Sequence, residues 1–279
     1  MQPGRVGIVG LGLIGGSLGL DLQARGWTVQ GLVHRQATAD RAMARGLVGA
    51  VSTDPSCLSD CDVVILALPI PLLLNPPDEL IAALPEAAVI TDVGSVKQPV
   101  LRAWRQRHPR FVASHPMAGT AQAGVEAGVV DLFRGRPWIA TPDAATDPAA
   151  LAQVRDLAVS VGGHWLTSTA SQHDQAVALI SHMPVLVSAA LLRAVGDERD
   201  PEIRQLAMVL ASSGFADTSR VGGGNPELGV AMASTNRDAV LRGLAAYRWS
   251  LEQLEDAVLQ QNWSQLELEL RRTQTLRPD

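Results

Sequence analysis

The stretch Arg5-Val-Gly-Ile-Val-Gly-Leu-Gly-Leu-Ile-Gly-Gly-Ser17 decides how this chain folds. Its first residues are β-branched and aliphatic, as in a buried strand, and Gly10, Gly12 and Gly15 then stand as G-x-G-x-x-G at the start of a helix. Each glycine has a separate reason to be there. Gly10 permits the tight turn, Gly12 lets the backbone approach a pyrophosphate, and Gly15 allows close helix packing. The helix start, with Leu13 and Ile14, offers free N–H groups and a positive dipole end to phosphate oxygens. A glycine turn without a ligand is the alternative, and the strand-turn-helix context favours a dinucleotide site.

Outward from this motif, short aliphatic runs alternate with helix-like stretches as far as about Thr169, the pattern of parallel strands joined by crossover helices. Strands are predicted near 5–10, 28–33, 63–68, 87–92, 110–114, 137–141 and 164–168. Together they make residues 1–169 an α/β domain with a Rossmann-like, doubly wound sheet. The stretch Thr141 to Pro148 is a surface loop within it. From Ser171 onward no strand pattern occurs, and apolar residues recur at helical spacing, as in Leu241, Leu244, Leu251, Leu254 and Val258. Residues 170–279 are therefore expected to form an all-α helical domain. Its last stretch, Arg237 to Thr273, reads as a long helix mixing Leu, Trp and Tyr with charges beyond what one small bundle covers. A homodimer through the helical domain is expected; a helix packed across its own bundle is the alternative.

Composition narrows the function classes. A chain of 279 residues is longer than most single hydrophobic cores manage, which suits two domains. With 47% hydrophobic and 18% charged residues it is too apolar for disorder and too interrupted by charge for a membrane protein. The net charge of -5, without any Lys/Arg-rich run, argues against a nucleic-acid partner. The longest apolar run, Val63 to Leu74, contains two prolines and is about half the roughly 20 residues of a membrane helix, so it reads as a buried strand. Met1 to Gly7 carries no features of a secretory signal, and a cytoplasmic location is expected. Cys57 and Cys61 have no accompanying ligands for structural zinc and read as plain thiols; no metal is expected. Lys97 is the only lysine, which excludes a Walker A site and any mechanism needing a second lysine.

The second strand should end where an NAD-specific site usually offers a carboxylate to the ribose 2'-hydroxyl. This chain has Val33-His34-Arg35-Gln36-Ala37-Thr38 there. Arg35 can take a 2'-phosphate with two parallel N–H groups, and His34 and Thr38 add donors, so NADP is favoured over NAD. Solvated loop residues are the plain alternative. In doubly wound sheets ligands bind beyond the carboxyl ends of the strands. Three such ends stand out: Leu68-Pro69 with the following Ile70-Pro71, Asp92-Val-Gly-Ser-Val-Lys97, and Ser114-His115-Pro-Met-Ala-Gly119. Histidine titrates near pH 6.5, so neutral His115 can remove a proton at cellular pH and is the candidate general base. Of the other histidines, His34 belongs to the ribose site, while His108 and His164 read as structural or solvated. His173 and His182 fall in the first helix of the second domain; their spacing of nine is taken to place them on nearly one face, and a core role is open for both. Arg220, among small and apolar residues, is a candidate clamp for a substrate carboxylate. The run Gly222-Gly-Gly224 reads as a flexible turn.

These residues resemble the prephenate and arogenate dehydrogenases, most nearly the compact cyanobacterial-type arogenate enzymes. The matching pieces are Gly10 to Gly15, Asp92 to Lys97, Ser114 to Gly119, His173-Asp174, Ser181-His-Met-Pro184 and Phe215 to Arg220, in the right order across both domains. The resemblance implies NADP-dependent oxidative decarboxylation of L-arogenate to L-tyrosine. It makes His115 the acceptor of the ring hydroxyl's proton and lets Ser95 hydrogen-bond both hydroxyl and nicotinamide. It places Arg220, Ser114 and His182 at the substrate. Leu13, Ile14, Leu68, Pro69, Asp92 and Ser95 join the glycines, His34, Arg35 and Thr38 around the cofactor. Val185 stands where prephenate-using members often have a second histidine, and Ala121 where they often have an acid; both favour arogenate. Ala216 stands where many members carry a basic residue. The alternatives are a prephenate dehydrogenase giving 4-hydroxyphenylpyruvate and, from another class, a catalytically silent NADP-binding regulator. A β-hydroxyacid dehydrogenase, which resembles enzymes with a lysine in the helical domain, is disfavoured by the lack of one.

Overall fold

In the computed structural model, residues 3–120 and 122–276 are described. Ala121, Met1 and Gln2, on which parts of the sequence reading rest, lie outside them. Six strands form a parallel sheet: β1 (Arg5–Val9), β2 (Thr28–Leu32), β3 (Ala50–Ser52), β4 (Val63–Leu66), β5 (Val89–Asp92) and β6 (Phe111–Val112). Their order is β3-β2-β1-β4-β5-β6. The chain leaves β1 toward β3 on one side and resumes at β4 on the other, so the strand order reverses beside β1. That reversal opens the crevice in which doubly wound sheets bind ligands. Every residue of β4 and β5 is buried, and so is β1 after Arg5, which is why these strands read as unbroken apolar runs. Val6, Ile8, Val63, Ile65 and Val89 meet Leu18 and Leu22 of the helix Leu13–Gln23 in one core.

The sheet departs from the sequence reading in three places. Strand β3 has no signature in the sequence, because three edge residues, Ala50 exposed and Val51 and Ser52 half-buried, carry too little pattern to stand out. The strand predicted at 110–114 is two elements: β6 ends at Val112, and β7 (Ser114–Pro116) leaves the parallel sheet. With β8 (Pro137–Ala140) and β9 (His164–Thr167) it forms a separate three-stranded sheet in which β7 runs antiparallel to β8. Strands 137–141 and 164–168 thus do not extend the main sheet. Trp138 anchors the small sheet, fully buried with its ring 5.5 Å from that of Phe133.

The chain divides into two compact units, Met1–Val177 with Gly223–Thr235, and Ala178–Gly222 with Asn236–Asp279. Among the described residues the regular elements of the second unit are all helical, the longer ones being Met183–Gly196, Pro201–Leu210, Ser213–Ser219, Arg237–Leu259 and Trp263–Gln274. Asp200 starts the second of these, its carboxylate accepting from the Glu202 N–H at 2.9 Å with Pro201 in the first turn. A small core joins Ala178, Ala239 and Val240 to Leu186 and Leu244. The helix expected over Arg237 to Thr273 is broken after Leu259: Gln261 adopts a left-handed conformation (φ 54°), and Asn262 caps the next helix through Gln265 N–H. The spacing of nine between His173 and His182 is about two and a half α-helical turns, which does not repeat one helix face, and the stretch between them is not regular α-helix, since Ala178–His182 is a π-helical turn. Residues Ala170–Gly196 are long and apolar enough to cross a membrane by length and composition alone, yet His173, Asp174, His182 and Ser188 within them are buried polar groups.

Candidate active site

The glycine turn is built as its sequence requires. Gly10 has φ +92°, a conformation L side chains avoid, and a Cβ there would lie 2.4 Å from the Ala67 carbonyl. A Cβ on Gly15 would lie 1.9 Å from the Gly10 carbonyl, so only glycine lets this helix begin against its own turn. Nothing lies within 4 Å of where a Cβ on Gly12 would be, so the backbone is open to a close ligand there. Gly12 is the N-cap of the helix Leu13–Gln23 and brings no side chain to its first N–H groups, which remain for an anion. Leu13 and Ile14, half-buried, form its first turn. These features fit a dinucleotide's pyrophosphate.

Neighbouring strand ends extend the site on either side. Beyond β2, His34 and Arg35 are exposed and Thr38 half-buried, and Arg35 occupies the N-cap position of the helix Gln36–Ala44 without a side-chain cap bond. Beyond β4, half-buried Leu68 and exposed Pro69 lead into the helix Ile70–Leu74, where Leu73 N–H returns to the Pro69 carbonyl. Beyond β5, the Asp92-Val-Gly-Ser-Val-Lys97 turn is organised around a buried ion pair of Asp92 and Lys97, both fully enclosed. Burial pushes the Lys97 ammonium below its ordinary pKa, and the Asp92 carboxylate opposes that. Ser95 Oγ is buried and makes no hydrogen bond among the described residues, the state expected of a hydroxyl whose partner is a ligand.

His115 stands on β7, half-buried, and Ser114 fixes the strand beneath it. The Ser114 hydroxyl donates to the Asp92 carbonyl at 2.9 Å and accepts from Trp138 Nε1 at 3.1 Å, with Thr91 Oγ1 at 2.9 Å. Its N–H donates to Asp92 Oδ1 at 3.1 Å, and its carbonyl accepts from Lys97 Nζ at 2.7 Å. Two expected contacts therefore take another form. The Ser114 side chain is fully enclosed and already bonded, so in this structure it shapes the His115 strand. The Asp92 carboxylate is likewise taken by Gly94 N–H, Ser114 N–H and Lys97, which sets the turn presenting Ser95.

His173, whose role the sequence leaves open, lies against His115 in the structure. Its Nε2 lies 3.0 Å from His115 Nδ1, the two rings meeting edge to face at 5.2 Å, and its Nδ1 lies 2.8 Å from Asp174 Oδ1. Asp174 also accepts from the N–H groups of Lys97 at 2.7 Å and Gln98 at 2.9 Å. The adjacent His-Asp pair was the available signal. Of the residues assigned to a substrate, Arg220 is exposed and opens a 3-10 turn, Arg220–Gly223. Ser188 pins that turn, donating to the Thr218 carbonyl and accepting from Gly222 N–H, each at 2.9 Å. His182 is buried, with Nδ1 3.2 Å from Asn236 Nδ2.

Comparison with known proteins agrees with this arrangement. Residues 18–167 match the family described as prephenate dehydrogenase, nucleotide-binding domain, and residues 169–272 match its dimerization domain. A cyclohexadienyl dehydrogenase of Zymomonas mobilis is 31% identical over 92% of this chain and 89% of its own. The crystal structure of Synechocystis arogenate dehydrogenase is 43% identical with a TM-score of 0.81, covering 97% of this chain and 98% of that one. A prephenate dehydrogenase from A. aeolicus, in complex with hydroxyphenyl propionate and NAD+, is 27% identical with a TM-score of 0.91, covering 99% and 98%. From the strand order, the glycine turn and these matches, the chain belongs to the prephenate dehydrogenase family of tyrosine biosynthesis, oxidoreductases with a pyridine nucleotide-binding domain.

Proposed function

We propose that this protein is an NADP-dependent arogenate dehydrogenase, with residues 1–169 holding the nucleotide and residues 170–279 serving substrate binding and homodimerisation. The observation that carries the cofactor preference is the end of β2, where Arg35 and His34 are exposed and no carboxylate stands to repel a 2'-phosphate. For the substrate, the support is Val185 in place of a second histidine, Ala121 in place of an acid, and 43% identity to an arogenate dehydrogenase.

A dinucleotide whose pyrophosphate sits at the glycine turn would supply the hydride acceptor through its nicotinamide. His115 takes the proton of the ring hydroxyl, and the electron pair left on oxygen forms a carbonyl as the hydride departs from the same carbon. The bond from ring to carboxylate then breaks, carbon dioxide leaves, and its electron pair restores the aromatic ring as a phenolate. Protonated His115 returns its proton to that oxygen. Ser95 donates a hydrogen bond to the reacting hydroxyl or the nicotinamide amide, Arg220 grips a substrate carboxylate with its planar fork, and His182 supports the substrate.

Reduction of nicotinamide, followed by absorbance with arogenate or prephenate and with NADP or NAD, tests the reading. Turnover confined to arogenate with NADP is expected. A preference for prephenate would overturn the substrate assignment, a preference for NAD the cofactor assignment, and no turnover with any pair would leave a silent nucleotide binder.

A further inference from the structure

We infer that His173 and Asp174 are positioning residues that lock His115 in the one tautomer able to act as a base through Nε2. This rests on the proposed role of His115 and adds to it which ring nitrogen does the work and what fixes it.

The argument follows the donors and acceptors along the chain of bonds. An ionised carboxylate can only accept, so His173 Nδ1, 2.8 Å from Asp174 Oδ1, must carry a proton. Asp174 is held in place for this by two backbone donors, the N–H groups of Lys97 and Gln98. A neutral His173 with its proton on Nδ1 has a lone pair on Nε2. That lone pair lies 3.0 Å from His115 Nδ1, which must therefore donate. The proton of neutral His115 is thereby held on Nδ1, and Nε2 keeps the lone pair that a general base needs. In water the opposite arrangement, with the proton on Nε2, is freely available to an imidazole; here burial of His173 and Asp174 excludes the water that would permit it.

The same chain ties the base to the nucleotide turn. Asp174 binds the backbone where the Asp92-to-Lys97 segment passes into the helix Gln98–Trp104, so the turn carrying Ser95 and the ring of His115 share one anchor. The charged and titratable groups linked to it by these bonds include Asp92, Lys97, His115, His173 and Asp174.

Histidine-selective 15N NMR of the whole protein, with the His115 signals assigned by loss in His115→Asn, reads the tautomer without any substrate. The expected result is a protonated Nδ1 and an unprotonated Nε2 on His115 at neutral pH, giving way to a mixture of tautomers in His173→Phe. The kinetic counterpart is a loss of kcat in His173→Phe of about 10²-fold or more, with KM for substrate and cofactor little changed. His173→Gln, which presents one amide donor and one carbonyl acceptor, should recover part of that kcat. A wild-type His115 protonated on Nε2, or full kcat in His173→Phe, would overturn the inference. If neither arogenate nor prephenate is turned over, the reaction assignment fails while the NMR result still decides the tautomer. Should His173→Phe fail to fold, the wild-type spectrum and His173→Gln still decide it.

Discussion

At the scale of single residues, the proposed reaction and the proposed cofactor preference each rest on one side chain, His115 and Arg35. His115→Asn keeps a similar volume and a hydrogen-bonding group but cannot take a proton. Turnover should fall by about 10²- to 10⁴-fold, while NADP affinity, measured by titration calorimetry, stays as it was. Unchanged turnover would remove His115 as the base. Arg35→Ala would delete the proposed charge-assisted hydrogen bonds to the 2'-phosphate, worth about 1.5–3 kcal/mol, so the Kd for NADP should rise roughly 10- to 100-fold with little effect on NAD. An equal weakening of both nucleotides would place Arg35 elsewhere than at the 2'-phosphate. Both residues stand out as candidates in the sequence because each follows directly on a strong strand pattern. His173 was not, for the group that gives it meaning is His115, 58 positions earlier, and a buried histidine on an apolar helix looks like core until that partner is in place.

At the scale of elements, the Asp92-to-Lys97 turn shows how a short motif acquires rigidity from what surrounds it. Lys97→Met would leave the Asp92 carboxylate buried without its cation. Removing one partner of such a pair typically costs about 3–5 kcal/mol, and thermal melting should show a large loss. Asp92→Asn combined with Lys97→Met should melt above Lys97→Met alone, since no unpaired charge remains. A Lys97→Met protein that melts like the wild type would refute the structural weight given to the pair. The main strands around this turn could be read because two buried faces produce apolar runs with no other explanation. Strand β3 could not, since an edge strand of three residues has no room for a pattern. The departure of β7 was hidden too: Ala113 joins β6 to Ser114 with no turn residue between them, and only the pairing of Ser114 with Ala140 shows that a second sheet has begun. The break at Gln261 lacks any glycine or proline, so an unbroken helix was the natural reading.

At the scale of the molecule, the second unit leaves apolar surface that its own small core does not cover. None of the ten residues of the helix Pro201–Leu210 is buried, and Ile203, Leu206, Met208, Val209 and Leu210 are all more than half exposed. Trp249, Leu259 and Trp263 are exposed in the same unit. Exposure of this extent is unusual for a monomer, whereas stable interfaces bury on the order of 1,200–2,000 Å² in total. A second copy of the chain is the occupant we expect, in keeping with the dimerization domain matched over residues 169–272. Leu206→Glu with Val209→Glu would put two charges on each copy into that covered surface, where they have no partners. Sedimentation of the wild type should give twice the 29.5 kDa of one chain, and the double variant should sediment as one. A wild type that sediments as a single chain at micromolar concentration would end the dimer proposal. A variant that remains dimeric would move the interface away from Pro201–Leu210, to the faces carrying Trp249 and Trp263.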